Sequence, residues 1–212
     1  MIRLHDYPRS SAAYRVRIAL NLKQVEYESV IANLLTGAQR SDAYAALNPQ
    51  RLVPTLEIDG LVLGQSLAII EYLDERYPHP PLLPRDPAAR AAVRAMALAV
   101  ACDIHPLNNL RVLTYLRTAL VATEDGVNAW YRHWIAEGLQ GLEALARRHS
   151  SDGRHMHGAM LTLADVCLVP QLFNARRFEC PLADYPTLTG IDAQLQTLPA
   201  FAAAHPGRPV DA

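Results

Sequence analysis

Apolar positions change their spacing several times along the first part of the chain, and each change marks an element. Ile2-Arg3-Leu4-His5 alternates like a short strand. Tyr7 and Pro8 turn the chain, and Ser10-Ser11 opens a segment in which Ala13, Val16 and Leu20 recur at helical spacing. Val25-Glu26-Tyr27-Glu28-Ser29-Val30-Ile31 alternates again and predicts a second strand. Thr36-Gly37 breaks the pattern, and a short helical patch follows near Asp42 to Leu47. Thr55-Leu56-Glu57-Ile58 and Leu61-Val62-Leu63 flank Asp59-Gly60, a strong hairpin signal. Gln65-Ser66 then leads into a helix with apolar positions at Leu67, Ile70, Leu73 and Tyr77, stopped by Pro78. Strand, helix, strand, short helix, strand, strand, helix together predict a four-stranded mixed sheet with helices against it.

Between Pro78 and Pro87 five of ten residues are proline, the composition of a stiff, extended linker. Beyond it the strand pattern disappears. Val93, Met96, Ala97, Val100, Ile104 and Leu107 recur at helical spacing, and the pattern continues past Pro106 towards Leu116. One long helix kinked at the proline is the expectation. A second long helix is expected from Glu124 to Arg147, and shorter ones near 163–176 and 187–196. Thr162-Leu163-Ala164-Asp165 reads as a capping box, flanked by Leu161 and Val166 as a hydrophobic staple. Its role is structural. The expected division is residues 1–78 as an α/β domain, 79–87 as linker and 88–212 as an all-helical domain.

Bulk properties narrow the function. Half of the 212 residues are hydrophobic and the formal net charge is −1, with no basic run suited to nucleic acid. No apolar stretch approaches the roughly 20 residues of a membrane span, and the N-terminus meets a charge too early for a signal peptide. Cys102, Cys167 and Cys180 form no metal-like or CxxC spacing, and read as reduced thiols. These features predict a soluble cytoplasmic protein, with no metal site proposed. A strand feeding a helix whose first turn carries hydroxyls adds a chemical element. The free N–H groups and the positive end of the helix dipole favour an anion such as a thiolate. The plainer reading of Ser10 or Ser11 is a helix N-cap.

A small α/β domain, a proline linker and an all-helical domain, with Ser-Ser at the first helix, resemble the cytosolic glutathione transferases. Val53-Pro54 stands where that family holds a cis-proline, Gln65-Ser66 where its third helix begins, and Thr162 to Asp165 where its helical domain has a capping box. Arg-Ser-Ser-x-x-x-Arg-Val-Arg-Ile-Ala-Leu at 9–20 is similar to a signature of the zeta class. So are Ala46-Leu47-Asn48-Pro49-Gln50, Val53-Pro54-Thr55-Leu56, Gln65 to Leu73, and Leu163-Ala164-Asp165-x-Cys167-Leu168-Val169-Pro170-Gln171. One departure stands out: the class usually writes Ser-Ser-Cys-Ser, and this chain has Ser10-Ser11-Ala12-Ala13. Chemistry resting on that cysteine is absent here.

The resemblance implies a thioredoxin-like N-terminal domain, βαβαββα, followed by an all-helical C-terminal domain, assembled as a homodimer. It implies glutathione as cofactor and a cis–trans isomerase that turns maleylacetoacetate or maleylpyruvate into its fumaryl isomer during aromatic-ring breakdown. Glutathione thiolate adds to the cis double bond, the bond rotates as a single bond, and the thiolate leaves. Ser10 is implied to donate to the thiolate, and only the family alignment prefers it to Ser11. Val53 beside Pro54, Gln65, Ser66 and, less directly, Gln39 are implied glutathione contacts.

Carboxylates of a dicarboxylate-like substrate call for arginine. Arg9, Arg111 and Arg177 are the implied substrate contacts, Arg9 with a share in catalysis, while Arg15 and Arg17 read as structural. Arg176 rivals Arg177, since neighbours on a helix differ by only about 100°. His105 and Asn109, at i and i+4, are expected on one helix face, and the resemblance implies that this His-Pro-x-Asn-Asn stretch lines the active site, with both residues as glutathione contacts. His105 is implied to bond glutathione or the enolate, and the competing reading is a histidine capping carbonyls freed by Pro106. Two other functions fit the same motifs: a glutathione transferase acting on α-halo acids, and a non-catalytic glutathione-fold binding protein.

Overall fold

The computed structural model describes residues 1–207. The described residues form two compact units, 1–81 joined by 197–207, and Leu82–Gln196.

The first unit is built on a four-stranded sheet of order β2-β1-β3-β4. Its strands are β1 (Arg3–Asp6), β2 (Glu28–Ile31), β3 (Thr55–Ile58) and β4 (Leu61–Gly64). β1 and β2 run parallel; β3 is antiparallel to β1 and to β4. The helices are α1 (Ser11–Leu22), α2 (Asp42–Leu47) and α3 (Ser66–Arg76), with a 3-10 turn at Ala38–Arg40. Leu4, Val16, Leu20, Leu56, Ile69, Ile70 and Leu73 fill the core between sheet and helices. β2 begins three residues later than its alternation predicts. Residues 23–25 are used instead to close α1: Lys23 caps it, Gln24 takes a φ of 54°, and Val25 N–H returns to Leu20 O at 3.0 Å.

α1 is buried continuously from Ser11 to Leu20, which places two arginines inside the unit. Arg17 Nη1 lies 2.7 and 2.8 Å from the two carboxylate oxygens of Asp6, at the end of β1. Its Nη2 donates to Pro8 O. Arg15 Nη1 donates to Ser66 Oγ at 3.2 Å, joining α1 to the start of α3. Both arginines are structural, as expected, yet neither is a surface residue. Burial pushes the Asp6 carboxyl up and Arg17 draws it back down, so the guanidinium offsets part of the cost of burying that carboxylate.

In the second unit α4 (Pro87–Leu98) starts on an Asp86 N-cap with proline in its first turn. The long kinked helix expected here is in fact interrupted. A wider turn occupies Ala99–Ile104, with His105 N–H reaching back five residues to Val100 O, and a 3-10 turn follows at Pro106–Asn108. Pro106 has no N–H to continue the ladder, so a new helix, α5 (Leu110–Thr118), starts on Asn109. α6 (Glu124–His149) passes beside this break, and a Cβ added at Gly138 would collide with Ile104 Cδ1 and Cγ1. Only glycine admits so close an approach.

α7 (Leu163–Arg177) is the buried helix of the unit and begins at the Thr162–Asp165 capping box. Asp165 accepts from the backbone N–H of Thr162 and Met156, both at 2.7 Å, and from the Thr162 hydroxyl. Burial pushes its carboxyl up to about 6 against those bonds. α8 (Pro186–Leu195) is capped from outside its own sequence, because Glu143 of α6 accepts from Thr187 and Leu188 N–H.

α9 (Pro199–Ala204) is a helix that the sequence pattern does not announce. It packs on α1, where Arg17 Nε donates to Ala204 O and Asn21 Nδ2 to Ala200 O. The expected 88–212 domain therefore gives up its last segment to the first unit, held there by polar anchors on α1.

Candidate active site

Strand register brings four loops of the first unit to one end of the sheet. His5 faces Thr55, and Thr55 faces Gly64, so the end of β1, the start of β3 and the end of β4 lie level. Asp6 is level with Ile31 in the parallel pair, so the chain leaving β2 departs from the same end. Arg9, Ser10, Ser11, Gln39, Val53, Pro54, Gln65 and Ser66 all stand on these loops or the helices they start. The motifs are scattered in sequence and the sheet gathers them.

Each supplies a group of definite character. Ser10 is the N-cap of α1: its Oγ accepts from Ala13 N–H at 3.2 Å, and its half-buried hydroxyl keeps its own proton to donate. Ser11 is buried within the first turn. Arg9 is exposed, its Nη2 bonded to Tyr7 Oη at 3.1 Å, and it has no carboxylate partner among the described residues. The Val53–Pro54 bond is cis, and among the described residues neither backbone group of Val53 has a hydrogen-bond partner. Gln39 is buried, with its Oε1 unpartnered.

Gln65, at the N-cap of α3, has a φ of 66° and offers the helix no side-chain cap. Non-glycine residues avoid that backbone region at about 1–3 kcal/mol. Its side chain is held by Gln50, whose Oε1 accepts from Gln65 Nε2 at 2.9 Å. The open N-terminus of α3 is a site for a carboxylate.

The second unit carries the remaining candidates. Arg177 lies over the Phe178 ring at 4.9 Å, and that ring stacks on Tyr131 with centroids 3.5 Å apart. Burial pushes the Tyr131 hydroxyl up to about 12, so it stays neutral beneath the arginine. Arg176 is committed to Asp192, with Nη2 2.6 Å from Oδ2. Arg177 has no such partner among the described residues, which separates the two. Arg111 is likewise exposed and unpaired with any acid there.

His105 and Asn109 do not share a helix face, because the helix breaks between them. His105 ends the wide turn, while Asn109 caps α5 through Oδ1, accepting from Arg111 N–H at 3.1 Å. Its neighbour Asn108, the other asparagine of the same stretch, is buried with Nδ2 on Tyr131 O and Oδ1 unpartnered. No helix among the described residues is long and apolar enough to cross a membrane.

Comparison with known proteins gives this geometry a family. The glutathione S-transferase N-terminal domain model matches residues 4–81. A probable maleylacetoacetate isomerase of Vibrio cholerae is 54% identical over 212 residues, 99% of this chain and 97% of that protein. The holo structure of a maleylpyruvate isomerase, a bacterial glutathione S-transferase of the zeta class, superposes with a TM-score of 0.96 at 47% identity, covering 99% of both chains. The chain belongs to the zeta-class glutathione transferases. A maleylacetoacetate isomerase from Methylobacterium extorquens AM1, solved with malonate and glutathione, matches at a TM-score of 0.94 and 40% identity over 99% of both chains.

The zeta-class fold, a thioredoxin-like unit followed by a helical one, is thus the fold of this chain. Its cofactor is glutathione, and the first unit fits it by its own geometry. An orphaned buried oxygen at Gln39, unpartnered backbone groups at Val53, an uncapped α3 N-terminus and a donating hydroxyl at Ser10 all stand at one end of the sheet. Where the class usually has Cys-Ser, Ala12 and Ala13 are buried within the first turns of α1. Gln50 is a position that sequence reasoning does not assign to the site. Gln50 lies inside a recognisable motif, and its contact with Gln65 depends on the fold.

Proposed function

We propose that this chain is a glutathione-dependent cis–trans isomerase that converts a maleyl compound, maleylacetoacetate or maleylpyruvate, to its fumaryl isomer. The observation that carries the reading is the set of open polar groups at one end of the first unit's sheet. It is supported by full-length likeness to proteins named for these two activities. Bound glutathione supplies a thiolate nucleophile that makes the substrate's double bond transiently single.

The chain's residues then have definite tasks. The Ser10 hydroxyl donates to the thiolate sulfur while its oxygen continues to cap α1, and the α1 N-terminus adds a favourable field. Ser11 stands by in the same turn. Val53 offers its N–H and C=O to the cysteinyl backbone beside Pro54, and Gln39 accepts a proton-bearing group. Gln65 and Ser66 take the γ-glutamyl carboxylate at the α3 N-terminus. Arg177, held flat on Phe178, binds a substrate carboxylate, with Arg111 and Arg9 as the further cationic contacts. His105 bonds glutathione or the negative charge that develops on the substrate carbonyl, and Asn109 retains its Nδ2 as a donor.

In this reading residues 1–78 form the glutathione-binding domain and the helical unit binds the substrate. The protein works as a cytoplasmic homodimer. The test is an ultraviolet assay of maleylpyruvate and maleylacetone isomerisation with and without glutathione. Turnover that requires glutathione and leaves its concentration unchanged is expected. Turnover that consumes glutathione stoichiometrically would replace isomerisation with transfer.

A further inference from the structure

The loop that presents Val53 is fastened by a closed set of buried hydrogen bonds that lies outside the expected site. Leu52, the residue before Val53, has its carbonyl oxygen 2.9 Å from Tyr44 Oη and 3.0 Å from Asn48 Nδ2. Tyr44 Oη is also 3.0 Å from Thr55 Oγ1, and Asn48 Nδ2 is 2.9 Å from that same oxygen. Thr55 is fully buried, and Tyr44 and Asn48 nearly so.

Proton count and distance together assign the directions. The Tyr44 hydroxyl has one proton and gives it to Leu52 O at 2.9 Å. The single Thr55 hydroxyl proton faces Tyr44 Oη at 3.0 Å and Leu52 O at 3.4 Å, and the shorter contact takes it. The two Asn48 Nδ2 protons go to Leu52 O and Thr55 Oγ1. Every donor is then used, and both lone pairs of the Leu52 carbonyl are filled. Asn48 Oδ1 accepts from Gln50 N–H at 3.0 Å, and Asn48 O accepts from Arg51 N–H at 2.9 Å, closing the loop from its other end.

One residue beyond this fastened carbonyl, Val53 has both backbone groups without partners among the described residues. We infer that Tyr44, acting with Asn48 and Thr55 through the Leu52 carbonyl, is a positioning residue for ligand binding at Val53. It pre-organises the backbone edge with which glutathione pairs, so the ligand need not order the loop. The inference rests on the glutathione-dependent reading above. Such a ring acts as one unit, so removing any single proton loosens the whole of it.

Calorimetric titration of glutathione and of S-methylglutathione into wild type, Tyr44→Phe, Thr55→Val and the double variant tests it. Tyr44→Phe keeps the ring in place edge-on to His5, and Thr55→Val keeps the volume. Each single variant is expected to raise Kd for both ligands about five-fold. The double variant is expected to raise it little further, and kcat at saturating glutathione stays within roughly two-fold of wild type. Wild-type Kd in both single variants, with a lowered melting temperature, would make the ring purely structural and overturn the inference. Wild type that binds neither ligand would instead overturn the glutathione reading itself.

Discussion

Replacing Ser10 by alanine tests the N-cap and the proposed thiolate bond, which one hydroxyl would serve together. The first is the N-cap: Oγ accepts from Ala13 N–H at 3.2 Å. Loss of a serine cap costs about 1 kcal/mol, which in a chain of this size lowers the melting temperature by about 2–4 °C. The second uses the hydroxyl proton, which the cap leaves available. A hydrogen bond to a charged acceptor contributes about 1.5–3 kcal/mol, equal to about 1–2 pKa units on the acceptor. The α1 N-terminus survives the substitution and retains its own smaller share. The glutathione thiol bound to Ser10→Ala is therefore expected to titrate about 1–2 units higher than in wild type.

The assay is the ultraviolet absorbance of bound thiolate as a function of pH, with the pH–rate profile measured beside it. Thiolate is lost as pH falls through the thiol pKa. A raised pKa therefore moves the acidic limb of the profile upward and leaves the high-pH plateau in place. On the acidic limb, below both thiol pKa values, the rate falls by about 10–100-fold, and Ser10→Thr, which keeps both oxygen and proton, restores most of it. An unshifted thiol in Ser10→Ala would remove Ser10 as the donor. A shift in Ser11→Ala instead would pass the role to its neighbour.

Other consequences can be checked independently. Arg177→Ala is expected to raise KM for the maleyl substrate by about 10-fold or more with little change in glutathione affinity. Arg176→Ala should leave KM alone and lower stability, because it strands the buried Asp192 carboxylate; equal KM effects would reverse the assignment. Gly138→Ala should destabilise the protein in urea unfolding by about 1–3 kcal/mol despite alanine's better helix propensity, since the new Cβ meets Ile104. A stabilised variant would disprove that close approach. Asp165 holds its proton up to about 6 in the folded chain, against about 3.9 unfolded. Its contribution therefore favours folding below pH 4 and is lost as pH rises through 6. Relative to Asp165→Asn, wild type should lose about 2–3 kcal/mol of unfolding free energy between about pH 4 and pH 7; parallel pH curves would refute this.

Elements that announce themselves by local chemistry are legible in the amino-acid sequence. The Asp59-Gly60 hairpin, the α1 and α3 starts and the Thr162–Asp165 box all stand where the pattern places them. Their signals lie within a few residues of the features they cause. The features that escape it depend on partners distant in the chain. α9 is short and apolar, and it is held to α1 by Arg17 and Asn21; no local period marks such an attachment. The break after α4 depends on Pro106 and the wide turn before it, and helical spacing alone runs straight through both.

The same division runs through the candidate site. Ser10, Val53-Pro54 and Gln65-Ser66 occupy strand ends and helix starts, positions with strong local signatures, and so they can be picked out from sequence. Tyr44, Asn48 and Thr55 lie inside or beside signature-like motifs and are still silent. A buried hydroxyl on a half-apolar element looks like any other residue of that element until its partner is known. Arg177 is ambiguous in sequence for a related reason. Nothing in Arg176-Arg177 says which of the two will meet Asp192, and that meeting decides which guanidinium is left without an acidic partner. The proposed ligand contacts thus carry local sequence signatures, while the groups proposed to hold them in place emerge only from contacts between distant segments. It follows that substitutions at Tyr44, Asn48 and Thr55 are where sequence-based expectation and measured glutathione affinity should diverge most.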